Sequence, residues 1–374
     1  MKLGRNSPCW CGSQRKYKKC HLDRDKDEPN KPWEFIKSIK KSFSKKYCYA
    51  ADCHKGQCKG GIVKAHTVSI SSLKRIAQNG HIYAFKVESF KNRSQHDGLL
   101  PPELLGINKA SVFNGFCEYH DNELFKPLED KPFIGDKEQC FLLAYRAQAR
   151  EGFLKFCQAD TLDFLRESDK GRSVEDQFDI QARHLNYSEA VIAGIRDAKY
   201  YKEKFDKILM AKDYSQIKAY IIYFQKTPSV LCSAGIFPEC DFHGNALQNI
   251  FNLDKTNELI TFSSISTDSG GGVVIFSWVE DNDSMGMCSK FIESLSNIPH
   301  CSITNSLIRF FFEFCDNVFM TPSWWEGLHQ KEKQDLIYRY ASCASLFSYR
   351  SMDRLKDDGA FFDDWGFKES RVIS

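Results

Sequence analysis

No uncharged run in this chain reaches about 18 residues, which excludes a membrane-spanning helix. Nor does an apolar stretch follow Met1-Lys2-Leu3-Gly4-Arg5, so no signal peptide is expected. There is no G-x-S-x-G elbow and no Ser-His-Asp arrangement, which removes the common acyl-transfer readings. Gly270-Gly271-Gly272 lacks the GK[ST] continuation of a phosphate loop, and is read as a hairpin turn. Internal repeats and low-complexity segments are missing too, so neither a solenoid nor a disordered tract accounts for the length.

The chain does hold material for a large interior. At 374 residues it exceeds one ordinary core, and 30 Phe, 15 Tyr and 6 Trp can fill two or three units. Its net charge of +3 conceals an asymmetry: residues 1–64 carry 17 Lys/Arg against 6 Asp/Glu, a balance of +11, which leaves −8 for residues 65–374. A basic N-terminal part facing an anionic partner, nucleic acid first among them, is the functional reading, and a solvated basic face is the plain one. The fifteen cysteines divide into a clustered set (9, 11, 20, 48, 53, 58, 117) and a scattered set. Clusters suit metal binding in a reducing compartment and scattered cysteines behave as small buried hydrophobes, so a cytoplasmic protein without disulfides is expected.

Cys9-x-Cys11-x8-Cys20-His21 supplies three thiols and an imidazole, a full tetrahedral set for a structural Zn2+. A segment so short and polar buries little apolar surface, so its folding free energy must come largely from the metal. Gly4-Arg5-Asn6, Pro8, both knuckle cysteines, Gly12-Ser13 and Lys16-Tyr17-Lys18-Lys19-Cys20-His21 make residues 3–22 resemble the SEC-C motif; Trp10 stands where proline is frequent. That resemblance implies a prokaryotic protein and a docking role, because SEC-C tails occur on the bacterial preprotein translocase ATPase, where the tail meets a chaperone. With residues 23–32 read as a linker, the motif looks like an appended adaptor.

Farther along, Trp33, Phe35, Ile36, Ile39 and Phe43 predict a basic amphipathic helix within 33–46. Residues 136–167 are read as helical, and a second long helix is expected from Ser188 as N-cap, resuming over Ile217–Phe224 after a break at Asp213-Tyr214. Strands are expected at SVLCSAGIF, ELITFSSIS and VVIFSWV, and helices again around 284–297, 303–319 and 329–350. Glu313, Asp316, Asn317 and Trp324-Trp325 are read as a helix end capped by Asn317 with a tryptophan pair packed on the core.

A second quartet is expected from Cys48, Cys53, Cys117 and His120, with Cys58 and His54 as competing ligands. A ligand pair on a turn and a pair opening a helix is the order of a treble clef. His66, in Lys64-Ala65-His66-Thr67 between the pairs, makes residues 47–130 resemble the HNH nucleases. That resemblance implies His66 as general base and Asp121 or Asn122 near a catalytic Mg2+ or Mn2+, although Ala65 stands where the family carries a metal ligand. The alternatives for His66 are a buried histidine bonding a carbonyl and a zinc ligand. His81 and His96 are read as surface or packing residues.

The expectation is thus an α+β protein: a zinc knuckle (1–24), a basic linker and helix (25–46), a zinc-organised treble-clef unit (47–135) and a mixed helical and antiparallel-sheet domain (136–374). Its role is docking a nucleic-acid or protein partner, with metal-dependent endonuclease chemistry as the alternative.

Overall fold

The computed structural model describes residues 3–52, 54–85, 101–282, 284–343 and 350–374. By internal packing the chain divides into two units, Met1–Lys45 with Gly152–Lys199, and Lys46–Glu151 with Tyr200–Ser374. Residues far apart in the chain share each unit.

In the first unit, helix α1 (Pro32–Phe43) starts at a proline, whose fixed φ suits a first turn, and the Glu34 carboxylate accepts from the Lys31 backbone N–H at 2.8 Å. The expected amphipathic helix is therefore present. Its apolar side meets α5 (Leu162–Arg166), with the Phe35 and Phe164 rings 5.7 Å apart. Ahead of α5 runs α4 (Lys137–Ala159), and after it α6 (Val174–Ala211); both helices contribute residues to both units.

The start of α6 corrects the sequence reading. Ser173 caps it, its Oγ accepting from the Asp176 N–H at 3.1 Å, whereas Ser188 lies mid-helix and donates to the His184 carbonyl at 2.7 Å. A serine bonded back one turn is tolerated inside a helix, so cap chemistry alone could not choose between the two sites.

Among its described residues the second unit holds two antiparallel sheets. The smaller pairs β1 (Ile62–His66) with β4 (Val112–Cys117), and α3 (Glu118–Glu129) follows directly. Among the described residues the larger is formed by β2 (His81–Ala84), β3 (Glu103–Gly106), β5 (Ile217–Phe224), β6 (Val230–Ile236), β7 (Ile260–Ser266), β8 (Gly272–Val279), β9 (Val318–Met320) and β10 (Phe367–Ile373). Their order is β10-β5-β8-β7-β6-β9-β2-β3, antiparallel throughout. The three strands expected at 229–279 form, and Gly270, at φ +84°, closes the β7–β8 hairpin as expected.

Ile217–Phe224 is a strand, not the resumption of a helix. Alternate residues enter different cores. Tyr220, Ile222 and Phe224 pack with Val274 and Phe276 against α7 (Met287–Ser296) and α8 (Ile303–Phe314), while Ala219, Ile221, Val273 and Ile275 pack with Cys140 and Leu143 of α4. Both faces of β5 and β8 are thus covered, which hides the apolar–polar alternation that marks a one-sided strand.

Helix α10 (Gln330–Cys343) follows the short α9 (Pro322–Gly327). Its Arg339 joins Glu313 at 2.9 Å and Asp335 at 2.8 Å, and Asp316 pairs with Arg150 at 2.9 Å. Asn317 does not cap α8, which ends at Phe314. Its amide donates to the Ser233 carbonyl at 3.1 Å and to Thr67 Oγ1 at 3.3 Å, a tie across buried backbone. Trp325 packs in the core as expected, and Trp324 Nε1 donates to the Phe362 carbonyl at 3.0 Å. Among the described residues every cysteine is free, and no helix is long and apolar enough to cross a membrane.

Candidate metal centres

The first centre is assembled locally. A tight turn, with the Gly12 N–H on the Cys9 carbonyl at 3.3 Å and Gly12 at φ +72°, turns Cys9 and Cys11 to one side. A 3₁₀ turn at Tyr17–Lys19 then brings Cys20 and His21 back, both N–H groups bonding the Tyr17 carbonyl at 3.1 Å. His21 Nδ1 lies 3.2 Å from Cys9 Sγ and 3.2 Å from Cys20 Sγ, and Cys11 and Cys20 sulfurs are 3.5 Å apart. All four ligand atoms fall within 4.8 Å of one another.

Tetrahedral zinc with Zn–S near 2.3 Å spaces its ligands by about 3.8 Å, so this quartet fits with small shifts. Burial pushes the Cys9 thiol up to about 12, the cost of an uncompensated thiolate, and a divalent cation removes it.

His21 is also held from behind. Its Nε2 stands 2.7 Å from Asp169 Oδ2, and Asp169 is buried. The same carboxylate accepts from Arg24 Nε at 2.6 Å and Gln181 Nε2 at 2.7 Å. Burial would raise the Asp169 pKa, yet the bonds from His21, Arg24 and Gln181 bring it below the ordinary carboxylate range. Trp10 stacks on Phe178 of α6 with centroids 3.9 Å apart, and Arg166 reaches Cys11 Sγ at 3.8 Å. The segment expected to be a free linker is thus fastened at Arg24, whose carbonyl accepts from the Gly171 N–H at 3.0 Å. Sequence reasoning missed Asp169, Arg24 and Gln181 as supports, since no local pattern joins residues 148 positions apart.

The second centre draws on the start and end of a ribbon. Tyr49 N–H bonds the Gly115 carbonyl at 2.6 Å, which places Cys48 beside β4. Cys58 follows a 3₁₀ turn at Lys55–Gln57, Cys117 ends β4, and His120 lies in the first turn of α3. His120 Nδ1 is 3.2 Å from Cys117 Sγ, 3.3 Å from Cys48 Sγ and 3.6 Å from Cys58 Sγ, and the four ligand atoms again lie within 4.8 Å. Burial and the neighbouring thiols Cys48 and Cys117 push Cys58 up to about 11, so this set also favours a cation.

Of the two competing ligands, Cys58 joins the group. The His54 ring lies 6.2 Å from that of His120, and Cys53 falls outside the described residues, as does His96. A signal for Cys58 was present in Gly60, at φ +72°, which follows it closely as Gly12 follows Cys11.

His66 ends β1 opposite Val112, half-buried and outside both clusters; its Nε2 is buried and accepts no bond among the described residues. It therefore bonds no carbonyl through that nitrogen. Burial, then the Arg146 charge, hold His66 below the ordinary imidazole range. Asp121 is raised by burial, opposed by Arg146 and reinforced by Glu129, so both groups sit in the field of the Arg146–Glu129 pair, itself closed at 2.7 Å. His81 is exposed and its Nδ1 lies 2.8 Å from its neighbour's Asn79 carbonyl.

Against known proteins, the SEC-C motif, a zinc-binding motif, matches residues 5–23, the segment that holds the first centre. No curated protein and no solved structure matches the chain.

Proposed function

We propose that this chain is a cytoplasmic, zinc-organised binding protein whose basic N-terminal segments dock the phosphate backbone of a nucleic acid. Zinc supplies folding free energy at both centres: each has four protein donors, which leaves no coordination position for water or substrate. The observation that carries the reading is the setting of the first centre. Arg5, Arg15, Lys16, Lys18 and Lys19 are exposed around it, and Lys37 and Lys41 are exposed on α1 of the same unit.

Phosphate contact releases counterions, so affinity must fall steeply with salt. With six such contacts, binding to a mixed-sequence RNA or DNA should weaken about 10³-fold between roughly 50 and 200 mM salt. Reversing Lys16, Lys18 and Lys19 to glutamate should flatten that slope by about three contacts. Retention insensitive to salt would reject nucleic acid and leave a protein partner.

A second reading is favoured by His66. Cys48 and Cys58, the β1–β4 ribbon and the helix bearing His120 follow in the order a treble clef would need, and His66 at the end of β1, its Nε2 buried and unpaired among the described residues, would serve as the general base. In this reading Asp121 would hold Mg2+ or Mn2+. Plasmid and RNA incubated with either metal should be nicked by the protein and spared by His66→Ala. Equal cleavage by both, or none with either metal, rejects it.

A further inference from the structure

We propose that Asp169 is the outer carboxylate of the first zinc centre, and that through it the metal locks residues 3–24 and 162–181 into one piece. This inference rests on the zinc reading of the Cys9, Cys11, Cys20 and His21 quartet and is independent of nucleic-acid docking. A histidine that binds zinc through one nitrogen donates its other N–H to a carboxylate in many metal sites, which orients the ring and raises its basicity. His21 has that geometry: Nδ1 turned to the sulfurs, and Nε2 at 2.7 Å from a carboxylate oxygen with no solvent exposure.

The carboxylate is itself held. Oδ2 also takes Gln181 Nε2 at 2.7 Å, and Oδ1 takes Arg24 Nε at 2.6 Å, so ligand, support and the first turns of α6 form one bonded group. Arg24 reaches on to Glu167 Oε2 at 3.1 Å, and Asn30 Nδ2 bonds the Glu167 carbonyl at 2.8 Å. The backbones meet as closely: a Cβ on Gly171, at φ +66°, would stand 2.4 Å from the Asp27 carbonyl oxygen. Trp10 lies between His21 and Phe178, 4.4 and 3.9 Å from their centroids.

The consequence is a device that an appended zinc adaptor lacks. Loss of zinc frees His21, and Asp169 then loses the imidazole N–H that holds one of its oxygens. A buried carboxylate short of a donor is costly, so the 162–181 segment should loosen together with residues 3–24.

The test uses the full chain. Asp169→Asn keeps the size and removes the charge, and competition with a chromophoric chelator reads zinc affinity. One of the two zincs should be released about 10- to 100-fold more readily and the other unchanged. Two zincs of wild-type affinity would overturn the proposal. Because the variant could lose its local fold for other reasons, the wild-type protein carries a second measurement. Zinc removal should raise amide hydrogen exchange in 5–24 and in 162–181 together, while β8 stays protected. Faster exchange in 5–24 alone overturns the lock. If Cys9→Ser holds as much zinc as wild type, both the lock and the metal reading of the quartet fall, whatever the salt dependence of nucleic-acid binding.

Discussion

Cys20→Ser is expected to lower the zinc content by one per chain and to cost the fold of residues 3–24. Cys20 Sγ lies 3.2 Å from His21 Nδ1 and 3.5 Å from Cys11 Sγ, so its loss opens one corner of the quartet. Nothing else compensates locally, because Cys9, His21 and Arg24 are the only buried residues between positions 3 and 24. For isolated zinc motifs the metal supplies about 10–16 kcal/mol of folding free energy. Here packing on α5 and α6 retains part of the order. Even a loss of about 3 kcal/mol raises the open population more than 100-fold. Elemental analysis should drop from about two zincs per chain to about one, and tryptic cleavage after Arg15, Lys16, Lys18 and Lys19 should accelerate accordingly. A variant that keeps two zincs removes Cys20 from the ligand set.

Phe310→Ala is expected to destabilise the second unit by about 3–5 kcal/mol. The Phe310 ring has no exposure, and its centroid lies 4.8 Å from Phe262, 5.5 Å from Phe276, 5.6 Å from Phe291 and 5.3 Å from Phe314. Truncation loses the transfer free energy of a benzyl group and leaves a cavity lined by rings carried on β7, β8, α7 and α8, whose backbones limit how far the site can collapse. Urea unfolding should show a lower midpoint with the slope retained. Phe361→Ala, at a ring 63% exposed, should stay within about 0.5 kcal/mol of wild type. Equal effects of the two substitutions would contradict the core described here.

The first metal centre was legible because its ligands lie within thirteen residues, so their spacing nearly dictates their geometry. At the second centre the ligand pairs are separated by a ribbon and its long connection. Spacing there favoured Cys53, with Cys58 and His54 as competitors, and the fold brings Cys58 Sγ to 3.6 Å from His120 Nδ1. Strands β6, β7 and β8 were readable from β-branched and aromatic runs between turn residues. Strand β5 was not, because IKAYIIYF is apolar on both faces and follows a long helix. Ser188 looked like a cap because its type suits one, but a serine hydroxyl bonds a carbonyl one turn back equally well.

Determined by sequence alone, then, were the donor chemistry of the first centre, the basic character of the N-terminal segment, and the excess of aromatic residues that a large mixed core needs. These depend on residue types and short separations, where chain connectivity limits the geometry. Only the tertiary structure decided that Asp169 stands behind His21, that Cys58 completes a quartet with His120, and that Phe310 meets the rings of Phe262, Phe276 and Phe291 from three other elements. Each is a meeting of groups brought together by packing of helices and strands, and the apolar burial that drives such packing is non-directional. Local spacing therefore carries no record of it.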